Sequence, residues 1–292
     1  MGGGSWSDNV YASTRSVRAS KGVKDFAYTE KAAQTKQIHP NLNPERISGK
    51  PFKKLESRDS DEHPNSLPII ISLDVTGSNR TRAVDAQAAL PKLMSIIFET
   101  ISDPQIAIVA NDDWYVVPEA ALQISDFESD IRIDEHLRSL WLVGCGGGND
   151  GESYDLVLYA AAYKTILDSV EKRNKKGYLF LYADEPFFTS VSKESAKQVF
   201  GDDLTTSLPI ETVIADARKL YNVFIIFPDG GYDHARKQFV KLFGADYVLD
   251  LEHPKMICEF IGTKINQWEK RTEKETAVIT KVLENNMEER SW

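Results

Sequence analysis

The chain is poor in cysteine, in histidine and in long apolar runs. Cys145 and Cys258 are its only cysteines in 292 residues, so no disulfide framework organises the fold. A reducing setting, the cytoplasm, is the expectation. No apolar stretch approaches the ~18–20 residues of a membrane span, and the first residues lack a signal peptide's apolar core, so neither membrane association nor export by that route is expected. The five histidines are scattered, which leaves Cys145 without a nearby base and reads it as a packing residue rather than a nucleophile. The body also lacks clustered cations. Net charge is −9, but residues 1–66 hold eleven Lys and Arg against eight Asp and Glu, a surplus of three, so the remainder carries −12. An acidic body is the opposite of what phosphate contacts need, and no nucleic-acid partner is expected.

What is present falls into three parts. Residues 1–66 are sparse in apolar side chains and rich in Pro, Asn, Ser and Lys, and read as an extended, poorly packed N-terminal arm with Trp6, Tyr11, Phe26, Tyr28 and Phe52 as its anchors. Residues 67–270 alternate short apolar runs with helical periodicity. Strands are expected near 68–74, 105–110, 121–125, 177–184, 222–227 and 246–250. Helices are expected near 80–102, with Pro91 kinking or dividing it, and near 130–140, 152–172, 192–200, 209–221, 233–243 and 254–270. Residues 271–292 are a charged tail or an extension of the last helix. Strands separated by helices imply an α/β, three-layer, Rossmann-like fold. Its central sheet is mostly parallel, with about six strands and one short antiparallel edge strand, and helices cover both faces.

The run Pro68-Ile69-Ile70-Ile71-Ser72-Leu73 ends in Asp74, followed by Val75, Thr76, Gly77 and Ser78. The acid therefore stands at the carboxyl end of a buried strand, the edge at which open α/β sheets bind ligands. Two hydroxyls follow it at alternate positions. Two more strand-end loops carry oxygen donors: Asn149 and Asp150 behind the glycines of Gly144-Cys145-Gly146-Gly147-Gly148, and Asp184, with Glu185 beside it, after the run Gly177–Ala183. Hydroxyls, carboxylates and water are the donor set of a small hard cation, Mg²⁺ or Mn²⁺.

This arrangement resembles the von Willebrand factor A-type domain with a metal-ion-dependent adhesion site. Asp74-Val75-Thr76-Gly77-Ser78 is similar to the family's D-x-S-x-S motif, with Thr in the first hydroxyl place. Gly146-Gly147-Gly148-Asn149-Asp150-Gly151-Glu152-Ser153 is similar to its Gly-rich loop before a helix, with Asn149 or Asp150 where a Thr is usual. Ala183-Asp184-Glu185-Pro186 is similar to its acid at the end of a later strand. The resemblance spans about residues 67–270. It implies a non-enzymatic module whose divalent cation, held by Asp74, Thr76, Ser78, Asn149 or Asp150, and Asp184, keeps a coordination position open for an Asp or Glu of a protein partner. It further implies settings in which such domains work beside AAA-type ATPases or in phage-encoded and virion-associated assemblies.

Two other readings remain open at this point. One is a structural or assembly protein that uses its arm for subunit contacts and self-assembly. The other is a Mg-dependent phosphoaspartate-type phosphohydrolase, since Asp74-Val75-Thr76-Gly77-Ser78 also resembles D-K-T-G-T. Asp74 would be its nucleophile, Asp184-Glu185 its acidic pair, and Lys175 or Lys176 its lysine. The Gly-rich loop lacks the Gly-Lys-Ser/Thr of a P-loop and the last glycine of G-x-G-x-x-G, so it is not read as a nucleotide cradle. Trp114-Tyr115 reads as a packing feature or as part of a binding rim.

Overall fold

The computed structural model describes residues 4–42, 52–77, 79, 81–144 and 151–289, with backbone only for residue 273 and residues 275–289. Ser78, Cys145, Asn149 and Asp150 lie outside the described residues. In chain order the elements are α1 (Asp8–Ser20), α2 (Tyr28–Thr35), β1 (Leu55–Ser57), β2 (Leu67–Asp74), α3 (Thr81–Phe98), β3 (Pro104–Asn111), β4 (Leu122–Ile124), α4 (Arg132–Arg138), α5 (Tyr154–Tyr163), β5 (Thr165–Leu167), α6 (Asp168–Arg173), β6 (Gly177–Tyr182), β7 (Ser190–Val191), α7 (Lys193–Phe200), β8 (Leu208–Pro209), α8 (Ile210–Leu220), β9 (Tyr221–Pro228), α9 (Asp233–Phe243), β10 (Val248–Leu251) and α10 (Ile257–Glu289).

Six strands form the main sheet in the order β10-β9-β6-β2-β3-β4, all parallel except the β3–β4 pair at one edge. This is the expected architecture, with β4 as the short antiparallel edge. Every residue of β2 is buried, as a central parallel strand requires. Its alternate side chains serve two cores. Ile69, Ile71 and Leu73 pack with α3, α4 and the first turns of α10, while Ile70 faces α5, α7, α8 and α9. The chain runs from β2 outward to β3 and then returns to β6 on the other side of β2. The strand order therefore reverses between β2 and β6, and a crevice forms there at the carboxyl ends of the strands.

Three expectations are corrected. Residues 1–66 are not a wholly extended, poorly packed arm: α1 and α2 are helices, and Tyr11, Phe26, Ala32, Ile38, Leu42 and Phe52 are buried. A few anchors suffice because they also make polar contacts, the Tyr11 hydroxyl donating to the Gln87 carbonyl at 2.9 Å and Arg18 pairing with buried Asp134 at 3.0 Å. The helix expected over 152–172 is interrupted, since Thr165–Leu167 leaves it to pair in parallel with β1. Pro91 does not divide α3, which runs continuously from Thr81 to Phe98. Proline removes the N–H that would bond to the carbonyl four residues earlier. That carbonyl is Gln87's, the group to which Tyr11 donates.

Candidate functional site

β2 and β6 are hydrogen-bonded neighbours, so Asp74, the last residue of β2, and Asp184, two residues past β6, flank the crevice. Loop one folds back on its own acid. The Thr76 N–H and hydroxyl both donate to Asp74 Oδ1, at 2.8 and 2.5 Å. Tyr154, in the first turn of α5, reaches between the two strand ends. Its hydroxyl donates to Asp74 Oδ2 at 2.7 Å, lies 3.3 Å from Asp184 Oδ1, and accepts from the Asp184 N–H at 3.3 Å. A phenol has one proton, and the shorter contact marks Asp74 as its acceptor. Asn79 ties loop one to loop three by donating from Nδ2 to Asp184 Oδ2 at 2.8 Å.

The Gly-rich loop starts at the same place. The Gly144 N–H donates to the Val75 carbonyl at 3.0 Å, and a Cβ on Gly77 would lie 3.5 Å from the Gly144 oxygen. Of the expected ligands, Asp74, Thr76 and Asp184 are thus brought together. Ser78 sits one residue past Gly77 but outside the described residues, as do Asn149 and Asp150.

Two further acids belong to this neighbourhood and were not read from the sequence as site residues. Asp112 follows β3, the other neighbour of β2. Its Oδ1 accepts from the Asp113 N–H at 2.8 Å, and its Oδ2 has no hydrogen-bond partner among the described residues. Glu152 is 1% exposed and is held beside loop three by its N–H, which donates to the Pro186 carbonyl at 3.0 Å. Its Oε2 is likewise without a partner among the described residues. The rule that found Asp74 and Asp184, an acid at the carboxyl end of an apolar strand, also applies to Asp112, but Asn111-Asp112-Asp113 reads equally well as turn chemistry.

Burial without a counter-charge among the described residues dominates the electrostatics. It raises the Asp74 carboxyl to about 7, helped by the charge of Asp184 and opposed by the hydrogen bonds from Thr76 and Tyr154. Burial, then Asp74, raises Asp112 to about 7. Burial, then Asp74 and Asp112, raises Glu152 to about 10. Arg82 does not offset them, since its Nε donates to the Tyr182 hydroxyl at 3.0 Å and its Nη1 is 3.5 Å from Asp85. Buried acids in this state take up protons or a bound cation.

The donors present fit a hard cation. The Thr76 hydroxyl gives its proton to Asp74, so its lone pairs are free for a cation. Two buried carboxylate oxygens are unpartnered. No group of three or more His, Cys, Asp or Glu is placed to hold a metal among the described residues, so the acids are spread over separate strand ends. A cation here would draw on hydroxyl, carboxylate and water together, as Mg²⁺ does.

No protein-family model matches the chain, and no curated protein matches it in sequence. Solved structures do. The pilus adhesin SpaC from Lactobacillus rhamnosus GG, in its open conformation, is similar at 9% identity with a TM-score of 0.46, over 76% of this chain and 31% of that one. Proximal thread matrix protein 1 from the mussel byssus, in a form with a zinc-occupied MIDAS motif, is similar at 11% identity with a TM-score of 0.44, over 66% of this chain and 46% of that one. The hypothetical protein BatB from Bacteroides thetaiotaomicron is similar at 12% identity with a TM-score of 0.43, over 70% of this chain and 99% of that one. The chain spans about a third of the length of the pilus adhesin.

The lysines wanted by a phosphoaspartate enzyme are placed elsewhere. Lys175 and Lys176 precede β6, at the opposite edge of the sheet from Asp184. Lys175 pairs with Glu269 at 2.9 Å, and Lys176 donates to the Arg218 carbonyl at 2.7 Å. Neither can neutralise a phosphoryl group on Asp74.

Proposed function

We propose that this domain is a protein-binding module whose affinity depends on a divalent cation, Mg²⁺ or Mn²⁺, held by Asp74, Thr76, Ser78 and Asp184 with an oxygen from Asn149 or Asp150. An acidic side chain of the protein partner completes the coordination. The observation that carries the reading is the convergence of Asp74 and Asp184 on one tyrosine hydroxyl at the strand-order reversal, inside a buried acidic environment with no cationic side chain paired to it among the described residues. Such a site attracts a cation. Tyr154 fixes the separation of the two acids, and Thr76 holds Asp74 in orientation through two hydrogen bonds. The partner, whether an AAA-type ATPase, another copy of the chain or another protein, is identified by its exposed Asp or Glu.

The test is thermal unfolding of the wild type and of Asp74→Ala in Mg²⁺, Mn²⁺ or chelator. A ligand held only by the folded state stabilises it by about 2.7 kcal/mol at a hundredfold excess over its dissociation constant. The wild type is expected to gain stability with metal and Asp74→Ala is not. Equal metal response in both proteins rejects this site. Once a partner is in hand, chelator should abolish its binding to the wild type, and an Asp or Glu to Ala change in the partner should do the same.

A further inference from the structure

Beside the acidic crevice lies a second, separate pocket whose interior cavity is about 10 Å³. Three of its walls are aromatic. Trp114 and Tyr115 meet at 4.9 Å between ring centroids with an interplanar angle of 80°, and Tyr115 meets Phe188 at 5.1 Å and 81°. The Phe188 ring depends on a glycine, since a Cβ on Gly151 would come within 2.8 Å of its Cε1. The pocket is also lined by Asp155, in the first turn of α5, which is 3% exposed and whose Oδ1 has no hydrogen-bond partner among the described residues. Three of the four serines that line the pocket are already engaged. Ser153 Oγ accepts from the Trp114 N–H at 2.9 Å, and Ser192 and Ser195 bond to one another. Two buried groups of the lining lack a hydrogen-bond partner among the described residues, the Trp114 indole N–H and the Asp155 carboxyl oxygen, and the acceptor is the carboxyl oxygen.

We propose that this pocket receives the ammonium group of a lysine side chain from a protein partner. Charge selects a cation, because the unpartnered Asp155 carboxyl lines the pocket and Asp113 and Glu194 add their negative charge at the Tyr115 hydroxyl. Aromatic faces add to that selection, since they attract ammonium groups through their quadrupoles. Size selects lysine over arginine. The interior admits one group the size of a water molecule, which suits an ammonium and not a planar guanidinium. Burial has pushed the Asp155 carboxyl up to about 8, and an ammonium supplies the missing counter-charge. Tyr115, 60% exposed, forms the open lip.

Ser153 joins this pocket to Glu152 and the acidic crevice, so one partner can reach both. That the lysine belongs to the same partner as the coordinating acid rests on the reading above. The pocket itself does not.

The experiment uses the full ¹⁵N-labelled chain in chelator, titrated with Nα-acetyl-lysine amide and with its uncharged norleucine counterpart. The Trp114 indole and Ser153 amide resonances are the readout. Saturable shifts with the lysine probe alone are expected, weakened at least tenfold in Asp155→Asn and in Tyr115→Ala, the second an exposed change that leaves the fold in place. Asp74→Ala should respond as the wild type does, which separates this pocket from the cation site. Equal shifts with norleucine amide would reduce the pocket to an apolar patch. Absence of shifts with either probe would mean it holds a structural water only, and an undiminished response in both pocket variants would place binding elsewhere. Each of these results overturns the proposal.

Discussion

The Tyr154 hydroxyl meets Asp74 Oδ2, Asp184 Oδ1 and the Asp184 N–H, groups from two different strands. Tyr154→Phe therefore leaves a buried carboxylate oxygen and a backbone donor short of a partner. Each unmet buried group costs about 1–3 kcal/mol. Urea unfolding in chelator should show a loss of that order, and metal titration of the same variant should show weakened binding, because the two acids lose their common spacer. An unchanged midpoint would mean that water replaces the hydroxyl without cost. The residues at this scale were unevenly legible. Asp74 and Asp184 announce themselves by ending apolar runs, and Thr76 by following the first of them at an alternate position. Tyr154 does not, because an aromatic residue at the start of an apolar helix reads as core. Its role appears only when the order β6-β2-β3 is known, and strand order leaves no trace in a linear pattern of apolar residues. The same ignorance hid Asp112, which matters because β3 lies directly against β2.

At the scale of elements, α1 and α3 are joined by a trade of hydrogen bonds. Pro91 withholds an N–H from the Gln87 carbonyl, and Tyr11 of α1 supplies a hydroxyl in its place. Tyr11→Phe should destabilise the protein by about 1–3 kcal/mol, the cost of an unmet buried acceptor. Pro91→Ala restores the backbone donor, so a double-mutant cycle by chemical denaturation should find Tyr11→Phe less costly on the Pro91→Ala background. Additive losses would show that the two residues act independently. Helix boundaries such as 233–243 follow from apolar spacing and are the same in sequence and structure. The break after α5 was not visible, because Thr165-Ile166-Leu167 continues a helical apolar pattern and leaves the helix only to meet β1 from the arm. Long-range pairing decided a local choice.

Over the whole molecule, charge sets how stability varies with pH. Burial lowers the His136 imidazole to about 4, with Asp126 and Asp130 raising it and Arg132 and His39 lowering it further. The unfolded chain takes up this proton below about 6.5, whereas the folded chain resists it down to about 4. Asp74, Asp112, Glu152 and Asp155, raised to about 7, 7, 10 and 8, hold protons only in the folded chain and add stability as pH falls toward 4. His136 opposes them, because between about 6.5 and about 4 the unfolded state binds its proton and its contribution is lost as pH falls. The loss is on the order of 3 kcal/mol at most. His136→Leu should remove this opposing loss, so that stability rises more steeply from pH 6.5 to 4 than in the wild type in a series of denaturant titrations, and an unaltered profile would assign the pH dependence to other groups. Asp59, held well below the usual carboxylate range by hydrogen bonds from Arg173, Ser66 and Lys172 against the opposing effect of burial, extends the loss to still lower pH. The acidic excess of the body was plain from composition, but which groups titrate abnormally was not, because burial is a property of the packed fold.

The pairing of β1 with β5 also gives the molecule a line of tension. Three residues of β1 lie in parallel register with Thr165, Ile166 and Leu167, and the Leu55 N–H donates to the Lys164 carbonyl at 2.8 Å. β5 begins directly after α5, whose first turn carries Tyr154 and Asp155. A pull on the chain ahead of β1 would therefore load this short pair in shear and pass along α5 to the tyrosine between the two strand-end acids. The grip of the crevice would become a function of applied force.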